Sequence, residues 1–491
     1  MNSYFLVVAI LFPLIGGAFL PMVPWKTKRT QYIYIEGITI LTSLLVLSLI
    51  LWTPQESFRF ANLAGPLEIT FHMDGLSKIF AGIMAGLWPF AILYAFEYMK
   101  EEGHETRFFT FYLMTYGVAN GIAFADNLMT LYMFYEMLTL VTFPLVMHSM
   151  SKAAIEAGRK YVFYSIGGAA FAFIGFIFIL GYGDTIRFVY GGVITKEVTG
   201  MVLTLLQSAY VVSVIGFGVK SAMFPFHGWL PVASVAPTPV TALLHAVAVV
   251  NAGAFAIMRI TYYSFGTSLV KNTWAQSIVL LLAIITIFYG SARAVKEQHF
   301  KRRLAYSTVS NLSYIIFGTL LMSPLGLVGA LAHMVFHSLM KIVLFFCAGA
   351  ILHETKREYI FELTGLARKM PKLMVCFTLS AFALVGVPPL TGFLSKWYLL
   401  QAAIKEGTPI AYIGLAVLMI SAFFTALYLF TIVARVYSPR REFDYTSLGQ
   451  VKDPNWFMLL PMGLFCGITI FFALHSLPLI HYFQAIANGT V

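Results

Sequence analysis

The sequence predicts an all-α polytopic membrane protein of about 14 transmembrane helices. Three observations carry that prediction. The 491 residues are 59% hydrophobic and only 11% charged. Soluble domains average about 25% charged residues, so there is too little charge here to cover soluble surfaces of this extent. Mean hydropathy is +0.82, which excludes intrinsic disorder. The apolar runs reach the roughly 20 residues that a helix needs to cross a bilayer, longer than barrel strands require.

Taken in order, the expected spans are 3–21, 32–52, 77–98, 108–125, 128–148, 161–182, 203–224, 238–262, 274–294, 304–322, 326–350, 373–402, 410–436 and 456–482. Span 1 lacks a basic start and a small-residue cleavage site, so it is expected as a retained helix. The net charge of +11 does not point to nucleic acid, because charge density is low and the cations follow topology. One alternate set of loops holds 22 of the 32 Lys and Arg, including Lys26, Arg107, Lys160, Arg293, Lys301, Arg303, Arg368, Arg440 and Arg441. The opposite set holds Arg59, Lys78, Arg187, Lys196, Arg259, Lys271 and Lys405. Lys and Arg concentrate on the cytoplasmic side. The bias therefore predicts a cell inner (plasma) membrane protein with both termini outside.

Three cations remain, Lys220, Lys341 and Lys396, and all fall inside spans. A charge at a helix centre costs about 2.5–3.5 kcal/mol on the insertion scale. Glu136 sits in the middle of span 5 and reads as the only acid far from a helix end. Lys220 lies in span 7 and His245 in span 8. His333, His337 and Lys341 recur at i, i+4 and i+8 in span 11, on one helix face. Lys396 lies in span 12. Each has a plainer reading: His245 as a packing residue, Lys396 snorkelling to the interface, Glu136 as a structural partner of one lysine. Together they form a titratable series, because a lysine that gains and loses a carboxylate partner can load and release a proton. The hydroxyl and amide tract of span 10 (Tyr306, Ser307, Thr308, Ser310, Asn311, Ser313, Tyr314) reads first as interhelical glue.

Two spans are interrupted. Span 7 meets Pro225 and Pro231, and span 12 meets Gly386, Pro388, Pro389 and Gly392. Irregular backbone at membrane depth is tolerated only in protein or beside a cavity, and paired breaks mark transport sites. The breaks are five helices apart, an odd number, so units of five must run oppositely. The expected plan is an N-terminal unit (1–105), inverted repeat A (106–262), inverted repeat B (263–437) and a C-terminal helix (438–491). Cys347, Cys376 and Cys466 form no metal-ligand spacing and read as small buried hydrophobes. No cofactor motif, iron–sulfur site or zinc site is expected within the chain.

GFGVKSAMFPFHGWLPVASVAPTPVTALLHA (216–246), KRRLAYSTVSNLSY (301–314), HMVFHSLMKIVLFF (333–346), GVPPLTGFLSK (386–396) and HMDGLS (72–77) resemble the proton-translocating antiporter-like family. That family comprises complex I membrane-arm subunits, the large subunits of Mrp-type sodium/proton antiporters, and counterparts in membrane-bound hydrogenases and formate hydrogenlyases. The resemblance spans roughly residues 70–435. It implies fourteen core helices, two inverted five-helix repeats and broken helices in spans 7 and 12. It also implies a relay in which Glu136 pairs with Lys220, His245 leads to the centre, Lys341 is flanked by His333 and His337, and Lys396 is terminal. One departure stands out. Where many members carry a further lysine in span 8 this chain has Asn251, which cannot carry a proton charge. The chain also ends soon after span 14, and so resembles the shorter members without a long lateral helix.

The function expected is a proton-translocating subunit of a multisubunit, redox-driven complex. Its partners would be other membrane subunits and iron–sulfur-containing peripheral subunits, with no nucleic acid. Rival readings are an Mrp-type antiporter moving sodium, a catalytic membrane subunit, and a structural subunit without its own proton path.

Overall fold

The computed structural model describes residues 2–439 and 443–491. Arg440 and Arg441, counted above among the basic loops, lie outside the described residues.

The chain runs α1 (Tyr4–Phe19), α2 (Lys28–Leu51), β1 (Phe58–Ala64), β2 (Leu67–Phe71), α3 (Gly75–Tyr98), α4 (Glu105–Ala123), α5 (Leu128–Val146), α6 (Lys152–Tyr182) and α7 (Gly200–Gly218). It continues through α8 (Trp229–Val232), α9 (Thr238–Ala246), α10 (Val249–Arg259), α11 (Thr267–Val270), α12 (Trp274–Lys296), α13 (Phe300–Leu320) and α14 (Pro324–Thr355). It ends with α15 (Pro371–Val385), α16 (Thr391–Glu406), α17 (Pro409–Tyr437), α18 (Trp456–Leu474) and α19 (Leu477–Ala487). Helix starts follow local chemistry. Thr27, Asp74, Asn127, Ser151, Ser323 and Thr408 each accept a backbone N–H as N-cap, and Pro324, Pro371 and Pro409 supply first-turn prolines.

Among the described residues, 11 helices are long and apolar enough to cross a membrane. The other three expected spans fall on α4, on α13 with its polar tract, and on the interrupted pair α15/α16. An antiparallel hairpin, β1–β2, was not anticipated. It turns at Gly65–Pro66, where Gly65 has φ +56°, a left-handed conformation glycine adopts freely.

Burial separates the helices into centre and rim. Every residue of the Thr238–Ser264 segment, which contains α9 and α10, is buried, and 94% of an 18-residue apolar stretch of α14 is buried, against 33% of the corresponding stretches of α17 and α18. The central helices therefore pack protein on every face, and α14 touches α9, α13, α15, α16 and α18.

Both expected breaks are present. α7 stops at Gly218 and regular structure resumes only near Trp229. Trp229 Nε1 donates to the Val219 carbonyl at 2.8 Å, and the Tyr135 hydroxyl donates to the Phe217 carbonyl at 2.9 Å. Carbonyls freed by the break thus regain donors. α15 ends at Gly386 with φ +94°. A Cβ built on Gly392 would lie 1.8 Å from the Ala383 carbonyl oxygen, so only glycine lets α16 start against the end of α15. A third interruption, between α9 and α10 at Val247–Ala248, carries no Pro or Gly. The Asn251 amide donates to the Ala246 carbonyl at 2.9 Å there.

Candidate functional site

The buried charges divide into two clusters, one at each expected break. At the first, Lys220 is 1% exposed, and its Nζ lies 3.9 Å from Glu136 Oε1. The ammonium also donates to the Tyr135 carbonyl and sits 3.5 Å from the Tyr135 ring centroid. Ser221, the next residue, donates to the Val250 carbonyl at 2.9 Å. The α7 break is thereby tied to α10.

The second cluster is a hydrogen-bonded series. Lys341 is fully buried, and Nζ donates to the Leu304 carbonyl at 2.9 Å and to Ser307 Oγ at 2.7 Å. The Asn311 amide donates to the Ser307 carbonyl at 2.7 Å. Asn311 Oδ1 lies 3.3 Å from His333 Nε2, and His333 Nδ1 lies 2.9 Å from Ser395 Oγ. Lys396, the next residue, donates to the Leu384 and Val385 carbonyls, each at 2.8 Å. It caps the C-terminal end of α15, where the helix dipole favours a cation. Lys396 also lines a cavity of about 150 Å³ with Tyr314, Gly386 and Trp397.

Between the clusters stand His245, His337 and Asn251, all buried. The His333 and His337 rings are 5.9 Å apart. Asn251 donates to Ser338 Oγ at 2.9 Å, which links α10 to α14 beside His337. Both ring nitrogens of His245 and of His337, and Asn251 Oδ1, are buried with no protein hydrogen-bond partner among the described residues.

Several features lay beyond sequence reasoning. Arg259, counted above as a loop cation, is 1% exposed and forms a bidentate pair with Asp74, at 2.5 and 2.7 Å, and donates to Ser77 Oγ at 2.8 Å. It sits in the last turn of α10, where a hydropathy boundary cannot tell a loop from a buried helix end. The HMDGLS stretch that holds Asp74 and Ser77 was the available signal. Lys301 and Arg303, also counted as loop cations, are 7% and 4% exposed. Glu136 is not the only acid far from a helix end, since Glu36 lies about two turns inside α2 with Oε2 buried and without a protein partner among the described residues. The three cysteines converge between α14, α15 and α18: Cys466 Sγ is 3.7 Å from the Cys376 carbonyl, and Cys347 Sγ is 3.5 Å from Met462 Sδ.

The profile of the NADH:quinone oxidoreductase/Mrp antiporter transmembrane family matches residues 125–425. The chain belongs to that family. That match begins just before α5 and ends within α17, so it contains Glu136, Lys220, Lys341 and Lys396. The family relative NADH-quinone oxidoreductase subunit N of Desulforudis audaxviator is 30% identical over 378 residues, covering 76% of this chain and 73% of its own length. A probable K(+)/H(+) antiporter component of Rhizobium meliloti is 33% identical over 420 residues, covering 82% of this chain. This chain spans 39% of the length of that relative. A membrane-bound sulfane sulfur reductase, an archaeal respiratory membrane complex, contains a chain of the same fold, with TM-score 0.87, 21% identity, and coverage of 100% of this chain and 98% of that one. The protein is thus a polytopic, antiporter-like membrane subunit, and its relatives are subunits of multisubunit membrane complexes.

Proposed function

We propose that this chain translocates protons within a multisubunit, redox-driven membrane complex of the complex I-like or hydrogenase-like kind. The observation that carries this reading is the series Lys341–Ser307–Asn311–His333–Ser395, which ends beside Lys396. Protons enter at Glu136–Lys220, cross by His245 and His337 to Lys341, then pass His333 to leave at Lys396. The unpartnered ring nitrogens of His245 and His337 fit water, because buried polar groups need hydrogen-bond partners. Water bridges the step past Asn251, which cannot carry the charge.

In this reading the two five-helix units, 106–262 and 263–437, are inverted repeats, each with a break and a break lysine. The basic loops face the cytoplasm across a plasma membrane, and both termini face outside. The membrane subunits of the complex, with iron–sulfur-containing peripheral subunits, supply the drive. Moving one charge against 100 mV takes about 2.3 kcal/mol.

The identity with a K(+)/H(+) antiporter component supports a second reading, exchange of an alkali cation, including sodium, for protons. One experiment separates the two. The purified complex in proteoliposomes is driven at clamped pH with and without sodium or potassium. Proton flux independent of either cation supports translocation, and flux that requires one of them supports antiport. Co-purifying polypeptides with iron–sulfur motifs support redox drive.

A further inference from the structure

The end of α9 nearest the basic loops carries polar groups that the relay above does not use. Thr238, Thr241 and His245 recur at i, i+3 and i+7, along one face of the helix. Thr238 Oγ1 donates to the Tyr98 hydroxyl at 3.1 Å. Tyr98, the last residue of α3, is 3% exposed, and Glu102, four residues on, is exposed. Thr241 Oγ1 donates to the Thr238 carbonyl at 3.0 Å. Lys301 lies alongside, its Nζ donating to the Ala236 carbonyl at 3.0 Å in the turn that enters α9. The charge of Lys301 acts on both Glu102 and His245.

From the basic-loop face inward, the exposed carboxylate of Glu102, the Tyr98 phenol, the hydroxyls of Thr238 and Thr241 and the His245 imidazole therefore follow in order, with Thr238 and Tyr98 in direct hydrogen-bond contact. Hydroxyl and phenol groups donate and accept at once, so each can pass a proton by rotating. Both His245 nitrogens are without protein partners among the described residues, so the ring is free to receive it. The first relay reaches the centre only by passing Asn251, whereas this face of α9 reaches His245 directly.

We infer that Glu102, Tyr98, Thr238 and Thr241 form a second access route, which delivers protons from the basic-loop face to His245 without passing Glu136 and Lys220. Lys301 is its positioning residue, holding the turn into α9. The route rests on the proton-translocation reading above.

The test uses the purified complex in proteoliposomes and reads initial proton flux, with assembly checked by co-purification. Tyr98→Phe and Thr238→Val keep side-chain volume and lose the hydroxyl. With both routes open, Tyr98→Phe alone stays within about twofold of wild type. Glu136→Gln falls to about a tenth, and Glu136→Gln with Tyr98→Phe falls at least tenfold further, as does Glu136→Gln with Thr238→Val. Double variants equal to Glu136→Gln overturn the route, and so does Glu136→Gln with no residual flux. Glu136→Gln at the wild-type rate removes the first entry instead. The route then stands if Tyr98→Phe alone stops flux and falls if it does not. Lys341→Met separates the underlying reading, because unchanged flux there refutes translocation through this chain whatever the α9 variants do. As a check independent of flux, Thr238→Cys reacts with a small charged thiol reagent added on the basic-loop side, and protection from that side overturns the route.

Discussion

Glu136 is the carboxylate whose removal has the most calculable effect. Its Oε1 lies 3.9 Å from Lys220 Nζ, with the two side chains 28% and 1% exposed. At an effective dielectric of about 20, that separation gives about 4 kcal/mol of attraction. Glu136→Gln removes all of it. Glu136→Asp withdraws the carboxylate by about one C–C bond, roughly 1.5 Å, and leaves about 3 kcal/mol. A loss of about 1 kcal/mol corresponds to roughly fivefold in rate, and a loss of about 4 kcal/mol to nearly three powers of ten on this route. The expected order of initial proton flux is wild type, then Glu136→Asp within about fivefold, then Glu136→Gln at the residue carried by the α9 face. The assay is quenching of a pH-sensitive dye in proteoliposomes that hold the assembled complex. Glu136→Gln at the wild-type rate refutes the role of the pair. Glu136→Asp as slow as Glu136→Gln refutes the electrostatic reasoning, because the charge would then be present and useless.

Lys341→Met keeps the aliphatic volume and removes the ammonium, so flux should fall at least tenfold, of order 1.4 kcal/mol or more, while the complex still assembles; flux in the same proteoliposomes checks it. Ser395→Ala breaks the contact with His333 and should slow flux severalfold, a loss of about 1 kcal/mol, with Ser395→Thr restoring it; equal rates for all three would remove Ser395 from the path. Asp74→Asn leaves Arg259 buried and unpaired and should cost roughly 3 kcal/mol of stability, measured by thermal unfolding in detergent. Burial pushes the Asp74 carboxyl up, but the Arg259 charge and hydrogen bonds, with Ser77, outweigh it and hold the group at about 2. The pair therefore contributes fully above the ordinary carboxyl value, about 3.9, and loses its contribution as pH falls through about 2. The stability gap between wild type and Asp74→Asn should stay constant from neutral pH to about pH 5 and shrink below about pH 4.

Much of the fold and some of the site were legible because the bilayer makes certain residues conspicuous. A run of about 20 apolar residues has few other uses, and Lys220, Lys341 and Lys396 stand out against it. Proline and glycine marked the breaks after α7 and α15. Hydropathy could not say which helices are central. The 18-residue apolar stretches of the Thr238–Ser264 segment and of α12 have values of 1.9 and 2.1, yet 100% of one and 50% of the other is buried. Lipid and protein neighbours are equally apolar, so the two surroundings leave one composition. The connecting residues were hidden for a related reason. Ser313 and Thr308 donate to the carbonyl four residues back, at 3.1 Å each, while Ser307 and Asn311 join Lys341 to His333, and all four belong to one polar tract. Only the facing helix distinguishes them. The α9–α10 interruption has no breaker residue, and Asn251, which reads as a lost proton carrier, is what satisfies the freed carbonyl.

The two break lysines are held in different ways, and the difference gives the proposed relay a direction. Lys220 has a carboxylate at 3.9 Å, worth about 4 kcal/mol of attraction. Lys396 has the carbonyls of Leu384 and Val385, the end of a half-helix whose dipole is worth at most about 2 kcal/mol. The first lysine therefore holds its proton by a charge that is itself titratable and can be withdrawn. The second holds it by fixed dipoles, beside a cavity. A site whose partner can be neutralised suits loading, and a site held weakly next to a cavity suits release. Lys341 donates to a carbonyl and a hydroxyl, so in the proposed relay no carboxylate among the described hydrogen-bond partners arrests the proton after Glu136. In the proposed relay, that order of partners suits loading at the α7 break and release at the α15 break.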